Sequence, residues 1–209
     1  MRGRYTLATD PATLRHHFGV EFPAEARYNV APTQQVPVIR DGLAMLRWGL
    51  VPGWLAEPKV SFSNINARRE AVATSPAFRS ALKSRRCLMP ADGFYEWAPE
   101  PPKVPHHFRL ADGEPFAFAG LWERWEKEAE PLETCALVTT DASPTVAVAH
   151  VRIPVIHRPA DYASWLDASM PPADLLGLLV PYGGSMTATL VGPYVSSPAH
   201  QGPRCVEPA

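Results

Sequence analysis

The sequence is poor in cysteine and has neither a long apolar run nor a strong net charge. Its three cysteines show neither metal-ligand nor disulfide-framework spacing, which favours a reducing cytoplasm and predicts no metal or other cofactor. Cys87 and Cys135 lie in apolar, strand-like runs, so we expect them to be small buried hydrophobes. No apolar run reaches membrane-spanning length, and the first residues lack the apolar core of a signal peptide. We therefore expect a cytoplasmic protein without membrane contact.

A formal net charge of −1 means that no overall positive field attracts nucleic acid. A polyanionic partner would need a local basic patch. Three pairs of arginines can build one: Arg2 with Arg4, Arg68 with Arg69, and Arg85 with Arg86.

Proline is the residue in excess, with 24 in a chain of 209 residues. So many prolines break the chain into short strands and loops and argue against long helices. The length, with 46% hydrophobic and 20% charged residues, suits one domain with a full-sized core. We therefore predict a single domain over residues 1–209, in which residues 192–209 form an irregular C-terminal tail over the body.

Turn and cap residues predict short helices at the flanks and short strands in the middle of the chain. Asp10 before Pro11 is typical of a helix start, and Asp41-Gly42 between two apolar runs is typical of a hairpin. A similar turn at 111–113 predicts a second hairpin. The predicted helices are 11–18, 66–73, 75–82, 144–149, 161–166 and 173–180, and the predicted strands are 36–40, 45–50, 87–89, 107–110, 115–121, 135–139 and 151–156. This arrangement indicates the α+β class.

The most informative stretch runs from Arg86 to Trp97 and reads RCLMPADGFYEW. Glu96 stands between Tyr95 and Trp97, and an acid among aromatic rings is partly desolvated. Desolvation raises the pKa of a carboxyl group and suits it to hold or pass a proton near neutral pH. Because side chains alternate along a strand, Glu96 can equally point to water while the two rings point inward.

Other polar and aromatic residues each allow a functional and a structural interpretation. Asn66 can hold a carbonyl or sugar oxygen, or can cap a helix. His150 can move protons near neutral pH or can be a packing residue, and Thr139 ends a buried strand, a frequent place for a positioned hydroxyl. Trp48 and Trp54 can stack unpaired bases or fill the core. We expect Trp48 in the core and leave Trp54 open.

Six segments together resemble the SOS-response-associated peptidase (SRAP) family, and they occur in that family's order. They are RYNVAPT (27–33), WGLVP (48–52), NAR (66–68), RCLMPADGFYEW (86–97), AGLW (119–122) and HVRIP (150–154). The resemblance implies one α+β domain with a mixed, barrel-like β core. It also implies a monomer that binds single-stranded DNA in the DNA damage response, lies at the nucleoid when bound, and covalently captures abasic sites through an N-terminal cysteine.

In the family, the amine and thiol of that cysteine close a thiazolidine ring on the ring-opened sugar aldehyde. The resemblance places the residues that manage protons and contacts at Asn66, Glu96 and His150. It places the lining of the DNA groove at Arg4, Asn29, Pro32, Trp54, Arg68 and Thr139. The family pattern HDRMP is HVRIP here, so His150 is kept but Val151 stands in the place of an aspartate.

The chain departs from the family at the residue that defines this chemistry. The family begins Met-Cys-Gly-Arg-Tyr, whereas this chain has Arg2 in place of the cysteine. No other cysteine can replace it, because a thiazolidine needs the amine and the thiol on one residue. Arg2 is also bulky, so we expect Met1 to be retained and its α-amine to lie one residue, up to about 3.6 Å, beyond the usual place.

The α-amine of Met1 can still form an imine with an aldehyde, because a useful fraction of such amines is neutral at physiological pH. The imine permits β-elimination with Glu96 or His150 as proton carrier, which is lyase chemistry. Alternatively, the protein binds single-stranded DNA without covalent chemistry, since the Arg2 guanidinium keeps phosphate affinity. A peptidase acting on other proteins is less favoured, because no Ser/His/Asp or Cys/His arrangement is legible.

Overall fold

The computed structural model describes residues 3–58, 64–99 and 102–209. The strands are β1 (Tyr5–Leu7), β2 (Arg27–Val30), β3 (Gln35–Ile39), β4 (Leu43–Trp48), β5 (Asn66–Arg68), β6 (Arg86–Ala91), β7 (Gly93–Trp97), β8 (Pro105–Leu110), β9 (Phe116–Trp125), β10 (Leu132–Asp141), β11 (Arg152–Pro154), β12 (Ile156–His157) and β13 (Met186–Leu190). The helices are α1 (Pro11–Phe18), α2 (Arg69–Val72), α3 (Arg79–Ser84), α4 (Pro144–Ala147), α5 (Pro159–Leu166) and α6 (Pro172–Leu178).

A closed ring of strands forms the centre of the fold. Strand β10 pairs with β4, β4 with β3, β3 with β6, β6 with β9, and β9 again with β10. The β4–β10 pair is parallel and the others in the ring are antiparallel, so the barrel is mixed. Its core contains the fully buried side chains of Leu46, Trp48 and Phe118. The predicted α+β class with a barrel-like β core is confirmed.

A second sheet, in the order β13-β8-β7-β1-β2, lies against the barrel, and Phe94 of this sheet contacts Phe118 of the barrel edge to face. The chain crosses between the two at Asp92, because β6 pairs with β9 whereas β7 pairs with β1 and β8. One carboxylate oxygen of Asp92 accepts the backbone N–H groups of Ala8 and Thr9, each at 2.6 Å, and the Thr9 hydroxyl at 2.9 Å. This buried acid fixes the crossing point.

The predicted hairpin around 111–113 is wrong. Strand β8 pairs with β7 and β13, whereas β9 pairs with β6, β10 and β12. The turn therefore carries the chain from the second sheet back to the barrel. The reason is burial, since Phe108 of β8 stacks on Phe94 in the second sheet while Phe118 of β9 is needed in the barrel.

Local sequence signals predicted the bounds of helix α1 correctly but assigned residues 66–68 to a helix. Helix α1 has the predicted bounds, because the Asp10 side chain accepts the Thr13 N–H at 3.0 Å and Gly19 ends the helix at φ 72°. The predicted helix at 66–73 is wrong in its first residues, because Asn66–Arg68 pairs in parallel with β10 as strand β5. Asn66 is therefore not a helix cap. No helix in the described part of the chain has the length and apolar character needed to cross a bilayer.

The C-terminal segment, residues 192–209, contains two short 3₁₀ turns, Pro193–Ser196 and Pro203–Cys205. Val195 and Cys205 are buried against Tyr95 and Trp97 of β7. The segment thus covers part of the second sheet and forms a small apolar cluster of its own.

Substituting Gly120 by alanine should destabilise the barrel. A Cβ there would lie 2.7 Å from the Cys87 sulfur and 2.9 Å from the Cys87 carbonyl oxygen, on the paired strand β6. Overpacking of this kind lowers the free energy of unfolding by about 1–3 kcal/mol, which denaturant titration will measure. The matched control is Gly177→Ala in α6, where nothing lies within 4 Å and alanine should raise that free energy by up to about 1 kcal/mol. Equal effects of the two substitutions would contradict this packing.

Two buried histidines should make the protein less stable below neutral pH. Burial lowers the pKa of His107 and of His157 to about 4, whereas an unfolded histidine has a pKa near 6.5. The unfolded chain therefore takes up protons between pH 6.5 and 4 that the folded chain does not. Stability should be full above pH 6.5 and fall by up to about 3 kcal/mol per histidine on the way to pH 4.

The variant His157→Leu tests this prediction by urea titration at several pH values between 6.5 and 5. Nε2 of His157 has no hydrogen-bond partner among the described residues, so leucine removes a titrating group without leaving a partner unpaired. We expect the dependence of the unfolding free energy on pH to be about half as steep in this window. An unchanged slope would show that His157 does not titrate as described.

Candidate functional site

Strand β1 brings the N-terminal end of the described chain to Glu96. It pairs antiparallel with β7, and the Tyr95 N–H donates to the Arg4 carbonyl oxygen at 3.0 Å. In this antiparallel register Arg4 lies opposite Tyr95, and one further residue on each strand puts Gly3 opposite Glu96.

Gly3 is held in a close-packed place beside β5. It has φ 65°, which favours glycine. A Cβ there would lie 3.2 Å from side-chain carbons of Ile65 and Pro32 and 3.3 Å from the Trp48 ring. Because Ile65 precedes Asn66, the N-terminal end of β1 lies next to the predicted asparagine. Met1 and Arg2, two further predicted site positions, lie outside the described residues.

Glu96 is fully buried, with 0% of its surface exposed. Its neighbours Tyr95 and Trp97 are also buried, so the interpretation in which Glu96 points to water is wrong. Alternation along β7 puts Glu96 on the same face as Phe94, which contacts Phe118 of the barrel edge to face. A ligand that reaches this carboxyl group therefore does so in surroundings of low dielectric constant.

Asn66 and Thr139 lie on neighbouring strands. Strand β5 pairs in parallel with β10, with Asn66 beside Leu137 and Arg68 beside Thr139. The Thr139 hydroxyl donates to the Ala67 carbonyl oxygen at 3.5 Å. The side-chain oxygen of Asn66 is buried and has no hydrogen-bond partner in the described part of the chain. Such an oxygen costs free energy when it stays unpaired, and a donor on a bound ligand would satisfy it.

His150 is fixed by the arginine two residues later. Nδ1 of His150 accepts the backbone N–H of Arg152 at 2.9 Å, so the neutral ring carries its proton on Nε2. The Arg152 guanidinium donates to the Thr139 carbonyl oxygen at 2.7 Å and pairs with Glu70 at 2.9 Å and Asp141 at 3.0 Å. These contacts attach the turn that carries His150 to the end of β10, beside Thr139.

A cavity of about 350 Å³ joins His150 to the end of β7. Trp97, which follows Glu96, lines it together with His150. Glu96 therefore lies opposite Gly3 in the extended strand register, and Asn66 follows Ile65, which packs beside Gly3. His150 lies at the cavity beside Trp97. A carboxyl group, an imidazole and a carboxamide are side-chain groups that can bind a sugar and transfer its protons.

Two residues predicted to line a DNA groove instead hold the C-terminal segment. Asn29 is 0% exposed, and its side-chain nitrogen donates to the carbonyl oxygens of Val195, Ser197 and His200 at 3.1, 2.8 and 2.9 Å. Arg4 donates to the Asn29 side-chain oxygen at 2.8 Å and to the Val195 carbonyl oxygen at 3.0 Å. Burial lowers the pKa of the Arg4 guanidinium. In this conformation both side chains are engaged within the protein.

The remaining predicted contacts lie nearer the surface. Trp54 is 63% exposed and Arg68 is exposed, while Pro32 is half-buried. Trp48 is fully buried, and its indole N–H donates to the Ile65 carbonyl oxygen at 3.0 Å, which confirms the expectation of a core residue. Trp54, left open by the sequence, is available for stacking.

Sequence reasoning missed Thr33 and misjudged one arginine pair. Thr33 has φ 74°, an unfavourable conformation for a β-branched residue and one that concentrates at functional sites. It follows Pro32, and no sequence signal marks it.

The Arg86 guanidinium donates to four backbone carbonyl oxygens, and Arg85 pairs with Glu123 at 2.7 Å. This pair therefore stabilises the fold and does not form a basic patch.

The three cysteines do not offer a thiolate. Cys87, Cys135 and Cys205 are free and buried, and burial raises the pKa of each thiol. The expectation that Cys87 and Cys135 are small buried hydrophobes is confirmed. Within the described ranges, no group of three or more His, Cys, Asp or Glu side chains is arranged to hold a metal ion.

Fold and site together define a β-barrel protein whose N-terminal strand leads to a buried acid. A family model described as SOS response associated peptidase (SRAP) matches residues 1–198. The abasic site processing protein YoqW of Bacillus subtilis (strain 168) is 38% identical over 222 residues, which cover 99% of each chain. YoaM of the same strain, also named an abasic site processing protein, is 38% identical over 213 residues, 95% of this chain and 94% of that one.

A crystal structure of a protein from Bacteroides thetaiotaomicron has the same fold, with a TM-score of 0.87 and 23% identity over 99% of both chains. The chain belongs to the SRAP family, and the resemblance found in the sequence is confirmed.

Replacing Asn29 by leucine should release the C-terminal segment. Leucine has a similar size but removes the hydrogen bonds of the Asn29 side chain to three carbonyl oxygens and to the Arg4 guanidinium, at a cost of about 1–3 kcal/mol. We expect amide hydrogen exchange in residues 193–205 to become about tenfold faster or more. Asn66→Leu is the matched control, because its side chain makes none of these contacts. Equal exchange of this segment in both variants would contradict the role of Asn29.

Proposed function

We propose that this protein processes abasic sites in single-stranded DNA by capturing the ring-opened sugar with an amine. The observation that supports the proposal is the pairing of β1 with β7, which sets Gly3 opposite Glu96 and beside Ile65, the residue before Asn66. Its relatives YoqW and YoaM carry the name abasic site processing protein, which supports the substrate class.

Capture begins at the amine that precedes Gly3. The α-amine of Met1 adds to the C1′ aldehyde carbon, and both amine hydrogens leave with the aldehyde oxygen as water, so that a C–N double bond remains. The imine makes the protons on C2′ acidic. Removal of one of them breaks the C3′–O bond and cleaves the strand by β-elimination.

The hydrogen bonds favour Glu96 as the base in this step. Nδ1 of His150 is occupied by the Arg152 N–H, so the neutral ring presents a donor at Nε2 and suits a phosphate or sugar oxygen. The carboxyl group of Glu96 accepts the proton from C2′. The unpaired side-chain oxygen of Asn66 accepts a hydrogen bond from a sugar hydroxyl.

The surface beside the site suits an unpaired strand. Trp54 is largely exposed, and stacking on a base is worth about 1–3 kcal/mol. Arg68 at the exposed end of β5 supplies a positive charge for a phosphate. Arg4 and Asn29 act indirectly in this scheme, by holding the C-terminal segment against β1 and β2.

Arg2 determines the kind of adduct and supports a second candidate function. Without a thiol at position 2 the adduct is an imine, which water reverses, and not a thiazolidine. Arg2 also favours binding of single-stranded DNA without any covalent step, because a guanidinium binds phosphate and is not a nucleophile. Such binding would fall steeply with salt and would not depend on an abasic site.

Borohydride trapping tests the proposal. With a single-stranded oligonucleotide that contains one abasic site, we expect an adduct on a denaturing gel when borohydride is present and little adduct without it. Reduction converts the reversible C–N double bond into a stable amine. Glu96→Gln should lower strand cleavage at least tenfold, because the amide cannot accept the C2′ proton.

Arg2→Cys is the control for the geometry of the site. With cysteine at position 2 and Met1 removed, we expect a stable adduct that needs no reductant. No adduct in either protein would refute capture of abasic sites. Binding that is equal for intact and abasic strands and weakens with salt would then support the second candidate function.

A further inference from the structure

Lys103 lies in the same cavity as His150. This cavity of about 350 Å³ is lined by Trp97 at the end of β7, by Lys103 before β8, and by His150 with Val151 after α4. The Ala98 N–H donates to the Val104 carbonyl oxygen at 3.0 Å, which closes the loop that carries Lys103. The lysine backbone is therefore held at the end of β7, two residues before Pro105, the register partner of Trp97.

Lys103 has the only primary amine of a side chain in this place among the described residues. The other described lysines lie elsewhere, Lys83 on α3 and Lys127 beside the Trp54 carbonyl oxygen at 3.1 Å. Most of the cavity lining is apolar and includes Pro99, Ala147 and Ala149. An aldehyde that enters the cavity thus meets one amine and one imidazole.

The residue at position 151 affects what this amine can do. Val151 lines the cavity together with Lys103. An acidic residue there, as in the family pattern HDRMP, would put a carboxylate in the same cavity and hold the lysine as an ion pair. Valine leaves the amine without that partner.

We propose that the Lys103 side-chain amine captures the aldehyde of the abasic site and replaces the thiol that is missing at position 2. The inference rests on the proposed function and assigns the attack on the aldehyde to Lys103 in place of the α-amine of Met1. The Nζ lone pair forms a bond to C1′, the two amine hydrogens leave with the aldehyde oxygen as water, and the imine remains. A flexible four-carbon stem lets the amine reach the sugar, so capture does not depend on the position of Met1.

Mapping of the trapped adduct tests this assignment. Wild-type protein is incubated with the abasic oligonucleotide and borohydride, digested, and analysed by mass spectrometry. We expect the sugar remnant on the peptide that contains Lys103. Lys103→Arg keeps the positive charge but cannot form the imine, and it should lower the adduct yield at least threefold. Lys83→Arg, the matched control on α3, should leave the yield unchanged.

A second variant tests the role of position 151. Val151→Asp should lower the adduct yield of the wild-type lysine at least threefold, because the carboxylate pairs with the amine, and high salt should partly restore it. Circular dichroism will verify that all variants are folded.

The results of adduct mapping distinguish a failure of the Lys103 assignment from a failure of the proposed function. A remnant found only on the α-amine of Met1, with unchanged yield in Lys103→Arg, would overturn the role of Lys103 and leave capture of abasic sites intact. No adduct in the wild-type protein would overturn both.

Discussion

The site depends on the pairing of β1 with β7. Strand β1 has only three residues, yet it fixes where the beginning of the described chain lies relative to the buried acid. Two anchors hold it in register, Asp92 with three hydrogen bonds at one end and Gly3 among Ile65, Pro32 and Trp48 at the other. A shift by one residue would turn every side chain of β1 to the opposite face and would separate the N-terminal residues from Glu96.

How much of the fold the sequence predicts depends on how local the signal is. Helix α1 and the β3–β4 hairpin were found because a cap, a stop and a two-residue turn lie within the elements themselves. The sharp turn at 111–113 was found too, but a turn does not specify which strand pairs with which. Strands β1, β2 and β13 were missed, and Asn66–Arg68 was assigned to a helix, because their conformation is set by partners far away in the chain.

In the candidate site, too, residues carried by short motifs could be predicted and features that depend on distant partners could not. Glu96, Asn66 and His150 could be named from the sequence because short motifs carry them, and their roles remain predictions. The engagement of Arg4 and Asn29 by the C-terminal segment, the conformation of Thr33 and the cavity shared by His150 and Lys103 could not be named. Each of these depends on tertiary contacts that join distant parts of the chain, and no composition or spacing pattern encodes them.

The contact between Arg4 and the Val195 carbonyl oxygen joins residues 191 positions apart. Because such long loops close late in folding, the strand that leads to Glu96 acquires its final partner only after all strands of the barrel have been synthesised. A ribosome-bound chain that lacks residues 193–205 would present Arg4 and Asn29 to solvent with their hydrogen bonds unmade. Synthesis of residues 193–205 is thus the event that secures the amino-terminal strand, and a product truncated before these residues would lose this restraint first.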